Sequence, residues 1–112
     1  MDKKLTFIFC MLFISHGAWA GIRPSLQEYN SRLSRVRIAT LKEIAGEKCW
    51  PLMNCIEFDA PENTNFNTCV KARGEALYHD NALTMQEVEI EYVRAIEDCA
   101  KTSGLVDLIN GN

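Results

Sequence analysis

The sequence has no excess of basic residues and no apolar run long enough to cross a membrane. Lysine and arginine number 12 against 15 aspartates and glutamates, so the formal net charge at pH 7 is −3. A nucleic-acid-binding domain needs a surplus of positive charge to neutralise phosphates, so we expect no nucleic-acid partner. The apolar run at residues 5–14 is about half the length of a spanning helix, and we expect no membrane span after position 20.

Several motifs that commonly carry chemistry are also missing. The chain has no C-x-x-C pair, no G-x-S-x-G sequence and no glycine-rich phosphate loop. After position 20 the only histidine is His79, in a predicted turn where a solvated side chain is the usual outcome. Two carboxylate pairs, Glu57 with Asp59 and Glu87 with Glu91, have the residue types of a glycosidase, but acids in loops and on helix surfaces are normally solvated. We therefore expect neither enzymatic activity nor a cofactor.

What is present fits one small folded domain. The chain has 112 residues, of which 47% are hydrophobic and 24% are charged. A disordered chain has a smaller proportion of apolar residues, so this composition predicts a folded protein. The length of the chain is that of a single domain.

The first twenty residues have the pattern of an export signal. Two lysines precede the apolar run, and Ala18-Trp19-Ala20 matches the A-x-A cleavage pattern. We predict a signal peptide at residues 1–20, cleaved after Ala20, and a single helical domain at residues 21–112. The expected location is the periplasm or the exterior of the cell.

Four cysteines follow the predicted cleavage site: Cys49, Cys55, Cys69 and Cys99. An even number of cysteines in a small exported chain predicts two disulfides. A structural zinc site normally uses short C-x₂₋₄-C pairs, which these spacings lack, so we expect no metal. Spacing does not choose among the three ways of pairing four cysteines.

Helical periodicity and capping patterns predict an all-α fold, a small disulfide-stapled bundle of about three helices. Predicted helices cover residues 24–48, 67–78 and 85–101, the second capped by Asn67 or Thr68. Capping-box patterns begin the first helix at Ser25 and the third at Thr84. The segment between the first two helices is rich in proline, asparagine and acidic residues, and it predicts an irregular linker. The apolar tail at residues 105–109 is either a final turn packed on the core or a docking segment.

Charge is unevenly distributed between the first and third predicted helices. Residues 21–48 contain six basic and three acidic side chains, whereas residues 85–101 contain two basic and five acidic ones. Either the two helices attract each other within one chain, or a charged face steers a partner or a second copy. We take Arg32 and Arg35 as candidate partner-binding residues, together with Trp50 and Phe58, two aromatic residues in the linker whose exposure would mark an interface.

The sequence thus favours a small exported protein that acts by binding another exported protein. An immunity or inhibitor protein, or an accessory factor of an envelope, secretion or conjugation system, would fit this description, and a homodimer is also compatible with it. The alternatives are a secreted toxin or effector and, less favoured, a small hydrolase that uses linker carboxylates such as Glu57.

Overall fold

Three long helices and one short helix make up the structure. The computed structural model describes residues 22–50 and 55–111. The helices are α1 (Leu26–Cys49), α2 (Pro61–Tyr78), α3 (Met85–Thr102) and α4 (Leu105–Ile109). The predicted all-α bundle of about three main helices is confirmed. Within the described ranges, none of the helices combines the length and the apolar character that a membrane crossing requires. The predicted signal peptide lies outside the described residues.

Helix α1 begins at the predicted cap and is interrupted near its end. The Ser25 side chain accepts a hydrogen bond from the Glu28 backbone N–H at 3.3 Å, which satisfies one of the free donors of the first turn. Gly46 leaves the helical conformation with φ of 67°, a region that glycine enters without the penalty of a β-carbon. The helix therefore has a long segment up to Ala45 and a short turn that carries Cys49.

Helix α2 begins six residues earlier than the sequence predicted, so its predicted start and cap were wrong. It starts at Pro61, whose ring fixes a helical φ and whose missing N–H costs nothing in the first turn. Asn63, within the part of the linker that was expected to be turns, lies in the first turn of the helix and donates to the Phe58 carbonyl at 3.1 Å. Only the segment before Pro61 is irregular among the described linker residues.

Helix α3 forms as predicted and is the centre of the bundle. Thr84 and Glu87 make both bonds of the capping box, at 3.0 and 3.1 Å. The hydrogen bonds from Thr84 lower the pKa of the Glu87 carboxyl because they favour its charged form. One face of α3 is buried along its whole length, at Val88, Tyr92, Ala95, Ile96, Cys99 and Ala100.

The apolar tail packs onto the core as a final short helix, which confirms the first of the two interpretations. Gly104 has a φ of 84° and turns the chain between α3 and α4. Leu105 follows immediately and is completely buried. Helix α4 contacts all three long helices and covers one end of the core.

Helices α1 and α3 run in the same direction, and α2 runs against both. The start of α1 lies beside the end of α2, where Tyr29 contacts Tyr78, and Arg32 of α1 pairs with Glu89 in the early part of α3. Arg23, just before α1, donates hydrogen bonds to the backbone carbonyls of Leu77 in the last turn of α2 and of Asp80 and Leu83 in the α2–α3 connection. These contacts fix the entry of the chain into the bundle.

Two disulfides staple the bundle, as predicted. Cys49 pairs with Cys55, six positions further on, and closes a small ring at the end of α1. Cys69 pairs with Cys99 over a separation of 30 and joins α2 to α3, with 5.8 Å between their Cα atoms. Cys99 is completely buried, whereas Cys55 is exposed. This is the pairing that spacing alone left open.

Candidate functional site

A long groove separates α1 from α2. Both helices pack along α3, but their backbones approach each other at few points. The space between them has a volume of about 1300 Å³. Antiparallel helices in a bundle normally bury their facing sides against each other, so an open channel between two of them is an unusual feature of this fold.

The α1 wall of the groove carries exposed apolar side chains. Leu26, Asn30, Ser34 and Ile38 line it at steps of four residues, which places them on one face of the helix. Leu26 is 58% exposed and Ile38 is 50% exposed. Both side chains therefore leave apolar surface in contact with water along a concave site.

The α2 wall combines small residues with charge. Ala72 and Ala76 are exposed, and their short side chains project little from this wall. Asn67, Lys71, Glu75 and His79 follow one another at steps of four residues along the same wall, and all four are exposed.

Two tyrosines and a glycine form the floor where α1, α2 and α3 meet. The buried Tyr29 hydroxyl donates a 2.6 Å hydrogen bond to the Gly74 carbonyl. Burial raises the pKa of Tyr29 to about 12, an effect that the nearby Arg23 partly offsets. A β-carbon on Gly74 would lie 3.4 Å from atoms of both Leu33 and Tyr92, which is close contact, so α2 packs directly on this floor at the glycine.

Arg37 brings a positive charge to the same floor. Burial raises the pKa of Tyr92, while the charge and hydrogen bond of Arg37 act in the opposite direction. The Arg37 side chain is half-buried and lines the groove between Leu33 and Leu41.

Known proteins add no assignment to this geometry. No protein-family model, curated protein or solved structure matches this chain.

The four residues predicted to bind a partner do not form a single patch. Arg32 pairs with Glu89 at 2.7 Å, so its charge is used inside the chain, whereas Arg35 is exposed. Trp50 lines the end of the groove, and the Lys42 ammonium lies 6.0 Å from its ring centroid. Phe58 is 91% exposed in the turn before α2.

The acidic residues considered for catalysis have ordinary surroundings. Glu57 and Asp59 are exposed in the turn before α2, Glu87 serves the capping box, and Glu91 pairs with Arg94 at 3.1 Å. His79 is exposed at the end of α2, where it lines the groove. In the part of the chain that the structure describes, no cluster of three or more histidine, cysteine or acidic side chains is placed to hold a metal ion.

The groove itself was not among the features predicted from the sequence. In the sequence, Ile38 and Leu41 only widen the apolar stripe of the first predicted helix, and Ala72 and Ala76 fit an inner face of the second. The usable signal was the breadth of the α1 stripe, because a helix that packs on one neighbour needs a narrower one.

Proposed function

We propose that this chain is a small exported protein that acts by binding another protein, and that the groove between α1 and α2 is its binding surface. The observation that carries the proposal is the pair of half-exposed apolar side chains, Leu26 and Ile38, on the wall of a concave site. Apolar side chains along the wall of a concave site can anchor a helix that binds in it, whereas a single exposed apolar residue on a convex surface needs no such role.

The shape of the groove fits an α-helix. Its α1 wall runs from Leu26 to Leu41, which is about 22 Å at 1.5 Å per residue. An amphipathic helix in such a groove places apolar side chains at i, i+3, i+4 and i+7 against the walls. A helix of another exported protein would complete a four-helix arrangement around α3.

Two features support an exported location. The signal-peptide pattern of residues 1–20 is one, and the two disulfides are the other, because disulfides persist in the periplasm and outside the cell. In that compartment the protein would serve as an immunity or inhibitor protein, or as an accessory factor of an envelope, secretion or conjugation system.

The proposal predicts that Ile38→Asp abolishes complex formation and that Ile90→Asp does not. Ile38 is 50% exposed on the groove wall, and Ile90 is 52% exposed on α3 outside the groove lining. Both substitutions place a charge on a surface of equal exposure, so any loss of folding should be alike. The measurement is the size of the native complex in the exported fraction of cells that carry each variant.

The two variants also show how the proposal fails. If Ile38→Asp leaves the complex intact, or if both variants disrupt it equally while retaining wild-type helical content, the groove is not the binding surface.

A further inference from the structure

The charged residues on the α2 wall of the groove are spaced so that two antiparallel copies of this wall place opposite charges next to each other. Lys71 and Glu75 are exposed neighbours at the centre of this wall, with Asn67 four residues before them and His79 four residues after. Neither Lys71 nor Glu75 takes part in the ion pairs that join α1 to α3 or α2 to α3, namely Arg32 with Glu89 and Arg73 with Asp98.

Two copies of α2 placed side by side in opposite directions match along this stripe. With the two-fold axis level with position 73, Lys71 lies opposite Glu75 of the second copy, and Glu75 lies opposite its Lys71. The same axis sets Asn67 opposite His79 of the second copy, and these two side chains can form hydrogen bonds. This reciprocal pairing is the defining property of a two-fold interface.

The remaining surfaces of the groove suit a second α2. Ala72 and Ala76 are exposed and small, so they leave room for another helix backbone to approach. Leu26 and Ile38 on the opposite wall supply the apolar surface that an incoming helix would cover. By symmetry, α2 of the first copy would at the same time occupy the groove of the second.

We propose that the groove binds α2 of a second copy of this chain, so that two chains form a symmetric dimer with each α2 lying in the groove of the other. This inference rests on the proposed function, because it assigns an occupant to the same groove. Any other exported protein that uses the groove would then have to displace the second copy.

Charge variants at the two central positions test the pairing. Lys71→Glu alone puts like charges opposite each other at two places in the dimer, and Glu75→Lys alone does the same with the opposite sign. We expect each single variant to dimerise about tenfold more weakly than the wild type, because two ion pairs are lost and replaced by repulsion.

Mixing the two single variants should restore association. A chain with Lys71→Glu and a chain with Glu75→Lys have opposite charges at both contacts, so they form a heterodimer about as tightly as the wild type forms its homodimer. The double variant that carries both changes in one chain should also recover. The measurement is sedimentation equilibrium of the oxidised exported protein over a range of concentrations.

A matched control lies on α3. Glu97 and Lys101 form another exposed pair four residues apart, and neither lines the groove. Glu97→Lys and Lys101→Glu should leave dimerisation unchanged, and circular dichroism of all variants checks that helix content is retained.

Three results would overturn the inference. The first is a wild-type chain that stays monomeric at all concentrations, the second is single variants that dimerise like the wild type, and the third is a mixture that shows no rescue. A monomer whose groove is nevertheless occupied by a different exported protein would refute the dimer and leave the proposed function standing.

Discussion

Tyr29 joins α1 to α2, two helices whose backbones approach each other at few points. Its hydroxyl reaches the Gly74 carbonyl at 2.6 Å, and its ring packs edge-on against Tyr78 with 4.6 Å between centroids. The side chain is 1% exposed, so it holds α1 to α2 beneath the groove instead of filling it.

We predict that Tyr29→Phe lowers the free energy of unfolding by about 1 kcal/mol at neutral pH, since one buried hydrogen bond is lost. The pKa of Tyr29 is raised from 10.0 to about 12 in the folded protein. The unfolded chain therefore releases this proton first as the pH rises above 10, and the folded state loses stability up to about pH 12. The phenylalanine variant should lose less stability over this range in chemical denaturation.

Tyr78→Phe is the control for this prediction. The Tyr78 hydroxyl makes a longer bond, 3.4 Å, to the Pro24 carbonyl, and its replacement leaves the Tyr29 hydroxyl in place. An alkaline loss of stability in Tyr29→Phe equal to that of the wild type would contradict the role given to the buried hydroxyl.

Arg32 bears on whether the opposite charges of the first and third helices attract each other within one chain or steer a partner. Its guanidinium contacts Glu89 through two nitrogens, at 2.9 and 2.7 Å, and about a third of each side chain is exposed. This pair supports the interpretation in which opposite charges of the first and third helices attract each other within one chain. That Arg35 binds a partner stays a prediction.

Among the helices, the bounds of α3 could be predicted from its capping pattern and apolar spacing, whereas the start of α2 could not. Helix α3 has a complete capping box and an apolar face at helical spacing, so its bounds followed from the sequence to within one residue. The start of α2 was missed because Asn63, Thr64 and Asn65 favour turns, while Pro61 at the first helical position and the packing of Phe66 on the core favour the helix.

The two disulfides should contribute unequally to stability. Loss of loop entropy in the unfolded chain predicts about 4 kcal/mol for the Cys69–Cys99 link, with its separation of 30, and about 2 kcal/mol for the Cys49–Cys55 ring, with a separation of 6. Paired alanine substitutions, one pair at a time, followed by urea denaturation, check this order.

The two disulfides should also differ in how readily a reductant opens them, because their sulfurs differ in exposure. Each disulfide has one buried cysteine, Cys49 or Cys99, but Cys55 is exposed whereas Cys69 is half-buried, so mild reductant should open the Cys49–Cys55 ring first. Mass mapping after partial reduction measures this. Earlier reduction of Cys69–Cys99, or a larger loss of stability from removing the small ring, would contradict the account.

At the scale of the whole molecule, the bundle has the form of a four-helix arrangement with one position open. Helix α3 lies at the centre, α1 and α2 pack on it, and the groove occupies the place of a further helix. The broad apolar stripe of α1 indicates an additional apolar face, but the groove itself depends on the distance between α1 and α2, which the apolar pattern of each helix alone does not define. The half-exposed Leu26 and Ile38 line this open position, where a further helix would cover them.

The most direct test of a protein-binding groove is photo-crosslinking in intact cells from a reactive side chain placed at Asn30, an exposed residue of the α1 wall. The same group at Glu97, exposed on α3 outside the groove, is the control. We expect a discrete crosslinked product from position 30, either with a second copy of the chain or with another exported protein, and none from position 97. Equal products from both positions, or no product from position 30 in a folded and oxidised chain, would contradict the assignment of the groove as the binding surface.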